Sequence, residues 1–352
     1  MTAGRDQNEA GEGWDTAIAR LDGDLLQSWR WGAFKQQHGW YARHVQTSDA
    51  EGEAMAQVLF RRFGPFSIAY LPRGPVMSDP TSDCSELLRG IDELCRRQRA
   101  IVLVIEPQRP LPDAWFTRKR GFVRGPASFQ TSRTVKVQLL NDEKLLAQMR
   151  KDTRYNIAHA KRNQVAVGQV PPGEAQIDTF YSLLRETSKR SGFGIHSRAY
   201  YKDFLDVFGD QAVLLVARVD GVATAGLIAA RAGVEARSMY AGSSHAHRSR
   251  GDAALLRFTA MQWARENGCS RYDLGGIAPD TPPTGPGKDH VRTRSDLEGV
   301  HQFKTGFGGR IVTYPETVER RYRPRIAWLV RRLNARFRSA PERSISSTLE
   351  TD

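Results

Sequence analysis

Two stretches of this chain run through the same succession of elements, and that succession leaves few folds open. In the first, YARHVQT, AMAQVLFRRFG and FSIAYLPRGPV read as strands separated by glycine, proline and charged turns. A helix from about Ser85 to Arg99 follows, then IVLVIEP, a short buried strand ending at Glu106 and Pro107. RKRGFVRG then leads into the alternating FQTSRTVKVQLL. In the second stretch, AVLLVARVDGVATAGLIAARAGVEARSMYAGSS is three strands, with Asp220-Gly221 as a hairpin turn. The helix GDAALLRFTAMQWARENG, the strand SRYDLGG, a proline-rich loop and FKTGFGGRIVTY complete it. Each stretch is three strands, a helix, a strand, and a glycine-Phe turn (GFVRG, GFGGR) into a last strand, so internal duplication is the simplest account.

This order predicts an α/β (α+β) chain of two tandem domains, each a mixed sheet flanked by helices. The expected boundaries are a disordered tail over 1–20, a first domain over 21–145 and a second over 146–316. A basic C-terminal helix over 317–340 returns to the first domain, and a disordered tail covers 341–352. Between the domains, NDEKLLAQMRKDTRYNIAHAKRNQV places Leu145, Leu146, Met149, Ile157 and Ala160 at helical spacing, with Arg150, Lys151, Arg154, Lys161 and Arg162 outside them. That basic face is either solvated linker surface or an RNA contact.

Charge narrows the partners. With 352 residues and a formal net charge of +13, the chain favours an anion: nucleic acid, an anionic lipid surface or a pyrophosphate-bearing substrate. Arg320, Arg321, Arg323, Arg325, Arg331, Arg332, Arg336 and Arg338 surround Ile326, Trp328, Leu329, Val330 and Leu333, a composition that suits either anionic headgroups or a terminal helix packed on the body. No run of eighteen apolar residues occurs, and the polar, glycine-rich start has no secretory-signal pattern. The three cysteines lack CxxC or Cys/His spacing, which argues against a disulfide framework and against a structural metal site and fits a reducing cytoplasm.

Two local patterns could carry chemistry. In HQFKTGFGGRIV, Phe303 and Lys304 put an aromatic platform beside a cation, ahead of Gly306, Gly308 and Gly309, whose backbone can approach a ligand closely. The bland reading is an ordinary strand entrance with a snorkelling lysine. Arg248, Gly251 and Ala253 match the R-x-x-G-x-A turn by which Gcn5-like acetyltransferases open a helix onto a pyrophosphate. Glu106, ending a buried strand, is a candidate base or acceptor-amine partner, or else a strand-end residue paired with an arginine.

Together these segments resemble the Fem-type aminoacyltransferases. LLQSWRWGAFKQQHGW is similar to their opening signature, YLPRGPV to a first-domain strand and loop, and MRKDTRYNIAHAKRNQV to their domain-joining helix. RYDLGGIAPD and HQFKTGFGGRIVTY are similar to their second-domain close, so the likeness runs from about Leu25 to Tyr314. It implies two Gcn5-related N-acetyltransferase-like domains facing across a cleft, with no cofactor and no coenzyme A. It implies transfer of glycine, alanine or serine from aminoacyl-tRNA, as co-substrate, to the side-chain amine at position 3 of a peptidoglycan stem peptide, carried on lipid II or UDP-MurNAc-pentapeptide.

By the same resemblance Phe303 and Lys304 meet the acceptor end of the tRNA, while Lys35, Arg198, Tyr201 and Tyr240 hold the diphosphate sugar peptide. Trp31 and Arg73, inside the WRWGAFK and YLPRGPV segments, are further substrate-side candidates. The long coiled-coil arm of some members is missing, since Ile177 to Ser191 leaves room for one helix. The expected location is cytoplasmic, with peripheral contact to the inner membrane surface. The rival readings are an acyl-coenzyme A-dependent N-acyltransferase using the Arg248 turn, and a non-catalytic tRNA- or membrane-binding protein.

Overall fold

The apolar run of Ala100–Glu106 has no polar face to turn to solvent, so its strand must be covered on both sides. The computed structural model, which describes residues 2–49, 52–79, 82, 84–116, 121–125, 129–244, 251–277 and 294–327, builds a covered sheet around it. In chain order the elements begin with α1 (Thr2–Arg20), α2 (Trp29–Gln36), β1 (Tyr41–Asp49), β2 (Gly52–Phe63), β3 (Phe66–Pro72) and β4 (Val76–Met77). They continue with α3 (Ser85–Arg97), β5 (Ala100–Glu106), β6 (Phe122–Arg124), β7 (Arg133–Gln138), α4 (Asp142–Ala147), α5 (Lys151–Arg162) and β8 (Ala166–Val170). Then come α6 (Glu174–Ser191), α7 (Arg198–Phe208), β9 (Ala212–Val219), β10 (Val222–Ala232), β11 (Glu235–Ser243) and α8 (Asp252–Glu266). β12 (Arg271–Gly276), α9 (Arg294–Thr305), β13 (Arg310–Thr313) and β14 (Val318–Arg321) follow.

The chain divides into two units: unit 1 is the part up to Ser132 together with the part from Tyr314 on, and unit 2 is Arg133–Thr313. Unit 1 holds the sheet β1-β2-β3-β5-β14-β6, with β4 beside β2, and unit 2 the sheet β13-β7-β12-β11-β10-β9-β8. Each is a Gcn5-related N-acetyltransferase-like domain: three antiparallel strands, a crossover helix, and a parallel fourth strand, β3 with β5 and β11 with β12. The Asp220-Gly221 turn has φ of 51° and 79°, the two positive angles that a tight hairpin of this twist requires. α6 and α7 have 18 and 11 residues, and no long coiled-coil arm occurs among the described residues.

The duplication carries an exchange. β7 follows unit 1's edge strand β6 in the chain, yet it pairs with β12 and β13 in unit 2. β14 follows unit 2's edge strand β13 and inserts between β5 and β6 in unit 1. The expected limits of 145/146 and 316/317 therefore move to 132/133 and 313/314, because an alternating strand carries no record of which sheet it joins. Residues 318–321 of the expected C-terminal helix are strand, and helix begins only at Pro324. The arginine-rich part beyond Ala327 and the expected tail over 341–352 lie outside the described residues.

The expected disordered start is a helix. Trp14 and Ile18 of α1 and Leu21 just after it recur one turn apart and pack with Met55 and Val76, which removes enough apolar surface from water to order a polar segment. α2 is held to the sheet by Gln57, whose side-chain amide donates to the Ser28 carbonyl at 2.8 Å while its backbone N–H donates to Gln27 Oε1 at 2.8 Å.

Candidate functional site

Unit 2 presents Lys304 where two strands part. The parallel pairing of β11 with β12 ends at Arg237 and Asp273. Beyond it, β11 continues along β10, and Gly276 of β12 pairs with Thr134 of β7. Lys304, in the last turn of α9, enters this opening: its Nζ donates to the Gly276 carbonyl at 2.7 Å. A Cβ on Gly275, which sits at φ +79°, would come within 3.3 Å of that Nζ and 3.4 Å of the Ser238 carbonyl. Glycine is required there by backbone angle, and it leaves room for the ammonium.

Two residues that the sequence reading passed over hold this arrangement. The Asp273 carboxylate accepts the Gly275 N–H at 2.8 Å, Arg237 Nε at 3.0 Å and the Thr134 hydroxyl, which shapes the turn under Lys304. An aspartate two residues before a glycine at the end of an apolar strand was the available signal. Arg257, one turn into α8, lies 4.8 Å from the Phe303 ring centroid. Its Nε is buried without a hydrogen-bond partner, no described carboxylate pairs with it, and burial lowers its pKa. Phe303 thus touches a cation and also Phe307, whose ring stands edge-on at 5.3 Å. In sequence Arg257 reads as one more helix-face arginine, because its partner is 46 positions away and aromatic.

α9 itself was not expected. Residues 301–305 are helix, and the glycines after it approach backbone rather than ligand: a Cβ on Gly308 would meet the Gln148 carbonyl at 2.5 Å, and one on Gly309 the Lys136 carbonyl at 2.4 Å. Arg150 pins the helix end, its guanidinium donating to the Gln302 carbonyl at 2.6 Å and its backbone N–H to the Gly306 carbonyl at 2.8 Å.

The other unit 2 candidates divide. Tyr201 is 1% exposed, its hydroxyl accepts the His196 N–H at 3.0 Å, and its ring stands edge-on to Tyr240 at 5.0 Å. Arg198, at the start of α7, is tied by ion pairs to Glu174 and Asp178 of α6, and hydrogen bonds to Asp178 and then Glu174 raise its pKa. Tyr201 and Tyr240 are thus brought together, while Arg198 already has two carboxylates. Arg248 lies outside the described residues. Gly251 has φ +74°, and a Cβ there would be 2.2 Å from the Asn156 carbonyl oxygen of α5. Beside it, Asp252 is buried and accepts the Ala253 N–H at 2.7 Å. In the described part of the expected phosphate seat, backbone packs closely against Gly251 and the Asp252 carboxylate takes up one N–H of the helix start.

In unit 1, Lys35 extends over the rings of its own helix, its Nζ 5.6 Å from the Trp31 centroid and 5.8 Å from that of Phe34. Trp31 is buried, and its indole N–H has no hydrogen-bond partner among the described residues. A second group closes the ends of β3 and β5. Arg73, 4% exposed, lays its guanidinium 3.5 Å from the Tyr314 ring centroid and donates to the Thr131 carbonyl at 2.6 Å. Glu106, 2% exposed, accepts the Tyr70 hydroxyl at 2.7 Å, the Gln130 N–H at 3.0 Å and the Phe129 N–H. Burial raises its pKa, opposed by these donors and by Arg73. Among the described residues no group of three or more His, Cys, Asp or Glu side chains is placed to hold a metal ion, and no helix is long and apolar enough to cross a membrane.

Against known proteins, the sequence profile of the FemAB family matches residues 127–223 and 220–334, more than half of the chain. A lipid II:glycine glycyltransferase of Staphylococcus aureus is 23% identical over 371 residues, covering 82% of this chain and 85% of that protein. A crystal structure of FemX superposes with a TM-score of 0.78 at 19% identity, covering 91% of this chain and 98% of that one. The C-terminal domain of a putative lysylphosphatidylglycerol synthetase from Agrobacterium fabrum gives 0.53 at 16% identity, covering 90% and 93%.

Proposed function

This chain belongs to the FemAB family, and from that premise we propose that it is a transferase of peptidoglycan synthesis, moving an amino acid from aminoacyl-tRNA to a cell-wall precursor. The amino acid is glycine, alanine or serine, and the acceptor is the side-chain amine at position 3 of the stem peptide on lipid II or UDP-MurNAc-pentapeptide. The observation that carries this reading is Lys304, whose ammonium is fixed by the Gly276 carbonyl at the parting of β11 and β12, with Phe303 next to it.

An aminoacyl ester is already activated, so the protein has to align it and steady one charge. The neutral acceptor amine attacks the ester carbonyl carbon and the carbonyl electron pair moves to oxygen. Lys304 stabilises that oxyanion. Collapse breaks the bond to the ribose oxygen, which leaves with the proton lost by the amine. The Phe303 ring offers the terminal adenine a stacking face that Arg257 holds from behind. Tyr240 and Tyr201 in unit 2, and Lys35, Trp31 and Arg73 in unit 1, are assigned to the precursor. Arg198 joins them only by exchanging its two carboxylates for phosphate. Glu106 is assigned to the acceptor amine. No cofactor enters this chemistry. The location that goes with it is the cytoplasmic side of the membrane, where a chain of net charge +13 meets anionic headgroups.

Against the acyl-coenzyme A alternative stands the start of α8, where the Asn156 carbonyl lies against Gly251 and the Asp252 carboxylate already takes the Ala253 N–H. The test is transfer of a labelled amino acid from charged tRNA to the nucleotide-linked pentapeptide or lipid II. Ribonuclease abolishes it, and Lys304→Ala lowers the rate roughly 100- to 1,000-fold, the cost of losing one oxyanion donor. Transfer that survives ribonuclease overturns the reading.

A further inference from the structure

α5 carries an outward face that the proposed chemistry leaves unused. Thr153, Ile157 and Ala160 are buried, and Lys151, Arg154, Tyr155, Ala158, Lys161 and Arg162 are exposed. Tyr155, 58% exposed, stacks on His159 with centroids 5.7 Å apart and planes 13° apart, and the Arg162 guanidinium stands 5.8 Å from the same ring. A tyrosine half out in water, beside a histidine and an arginine, is a stacking platform. The helix has a single carboxylate, Asp152, and Arg150 takes it at 3.3 Å. Among the described residues Lys151, Lys161 and Arg162 have no carboxylate partner.

This face is also tied to the Lys304 end of the unit. Arg150, the residue that caps α5, is the one that donates to the Gln302 and Gly306 carbonyls at the end of α9. The basic stripe therefore starts beside Phe303 and Lys304 and runs away from them for about 18 Å, the length of a twelve-residue helix.

We propose that the exposed face of α5 is the docking surface for the acceptor arm of the RNA, with Lys151, Arg154, Lys161 and Arg162 along its phosphates and Tyr155 stacked on an unpaired base. The inference rests on the RNA-dependent reading above and adds where the nucleic acid lies. A membrane surface fits the face less well. An interfacial helix turns Leu, Phe or Trp outward among its cations, whereas the one large aliphatic residue of this helix, Ile157, is buried in the core.

The probe is a fluorescein-labelled tRNA acceptor-stem minihelix with a single-stranded 3′ CCA end, titrated against the full chain over a salt series. Lys151→Ser/Arg162→Ser and Tyr155→Ala each weaken binding roughly tenfold at moderate salt, and the double variant makes the slope of log K against log salt shallower by about 1.4 to 1.8. The KM for charged tRNA rises in step, while that for UDP-MurNAc-pentapeptide stays put. Arg162→Glu is a second route to the same loss, and Arg96→Ser/Arg97→Ser on α3 of unit 1 controls for net charge by binding as the wild type does. α5 variants with wild-type affinity, in a protein that still transfers from charged tRNA, overturn this inference alone. A wild type that neither binds the minihelix nor transfers overturns the proposed function, and this inference with it. Loss of binding to phosphatidylglycerol vesicles, with minihelix affinity intact, makes the face a lipid surface and likewise overturns it.

Discussion

Glu106 shows how burial and hydrogen bonding pull one residue in opposite directions. Its carboxylate fastens the 129–130 backbone to the ends of β3 and β5 through three donors, while burial, the largest influence, pushes its pKa up. A raised folded-state pKa means that the folded chain holds the proton more tightly than the unfolded one. Stability from this group is therefore full below its ordinary value and falls as pH rises through the folded value. Glu106→Gln removes that falling limb from urea midpoints measured from about pH 4.5 to about pH 7. It also turns an amide N–H toward donors, which costs about 1–3 kcal/mol. Transfer by the variant, assayed well below its unfolding transition, drops if the carboxylate serves the acceptor amine. Unchanged transfer leaves Glu106 as a loop anchor.

At the scale of elements, α1, α7 and α9 were helices missed, and α1 and α9 for different reasons. α9 was legible, since Leu297, Val300, Phe303 and Phe307 repeat at helical spacing, but Gly299 and the glycines that follow disguised it as a strand entrance. α1 depends on what it meets: Trp14 and Trp29 enclose His44, edge-on at 4.5 Å and stacked at 4.3 Å, and His44 shares a 2.9 Å hydrogen bond with Gln57 Oε1. Burial lowers the His44 pKa, so below its ordinary value near 6.5 the unfolded chain binds the proton more readily. Stability from this contact is present above that value and is lost as pH falls through it. Tryptophan fluorescence followed in urea is expected to give an earlier transition at about pH 5.5 than at about pH 7.5. His44→Phe, which keeps the stack and cannot titrate, narrows the gap. An equal gap in the variant would place the acid sensitivity elsewhere.

For the molecule as a whole, the exchange of β7 and β14 makes the two units unequal in their dependence on the chain. Unit 2 is continuous from Arg133 to Thr313, whereas unit 1 is complete only once β14 has come back. That strand is locked by charge as well as by pairing: Arg320 bonds Asp92 of α3 at 2.6 Å, and the Tyr322 hydroxyl donates to the same carboxylate at 2.6 Å. A chain cut after Thr313 leaves β5 with an open edge, β6 with no described neighbour, and Asp92 buried without Arg320 and Tyr322. Hydrogen exchange on that fragment is expected to show protection retained in β9 to β12 and lost in β3 and β5. Equal protection in both would mean that unit 1 closes without β14.

By itself the sequence determined that there are two like domains, the three-strand, helix and strand core of each, the Asp220-Gly221 hairpin and the neighbouring Phe303 and Lys304. All of these are local: period, turn chemistry and motif are written within a few residues of one another. It did not determine which sheet β7 and β14 join, that Gly251, Gly308 and Gly309 lie against backbone carbonyls, or that Arg198 is bound to Glu174 and Asp178. Nor did it place Arg257 against Phe303. Those were decided by contacts between residues far apart in the chain, because what a strand pairs with and what a charge faces depend on which distant segment fills the adjoining space.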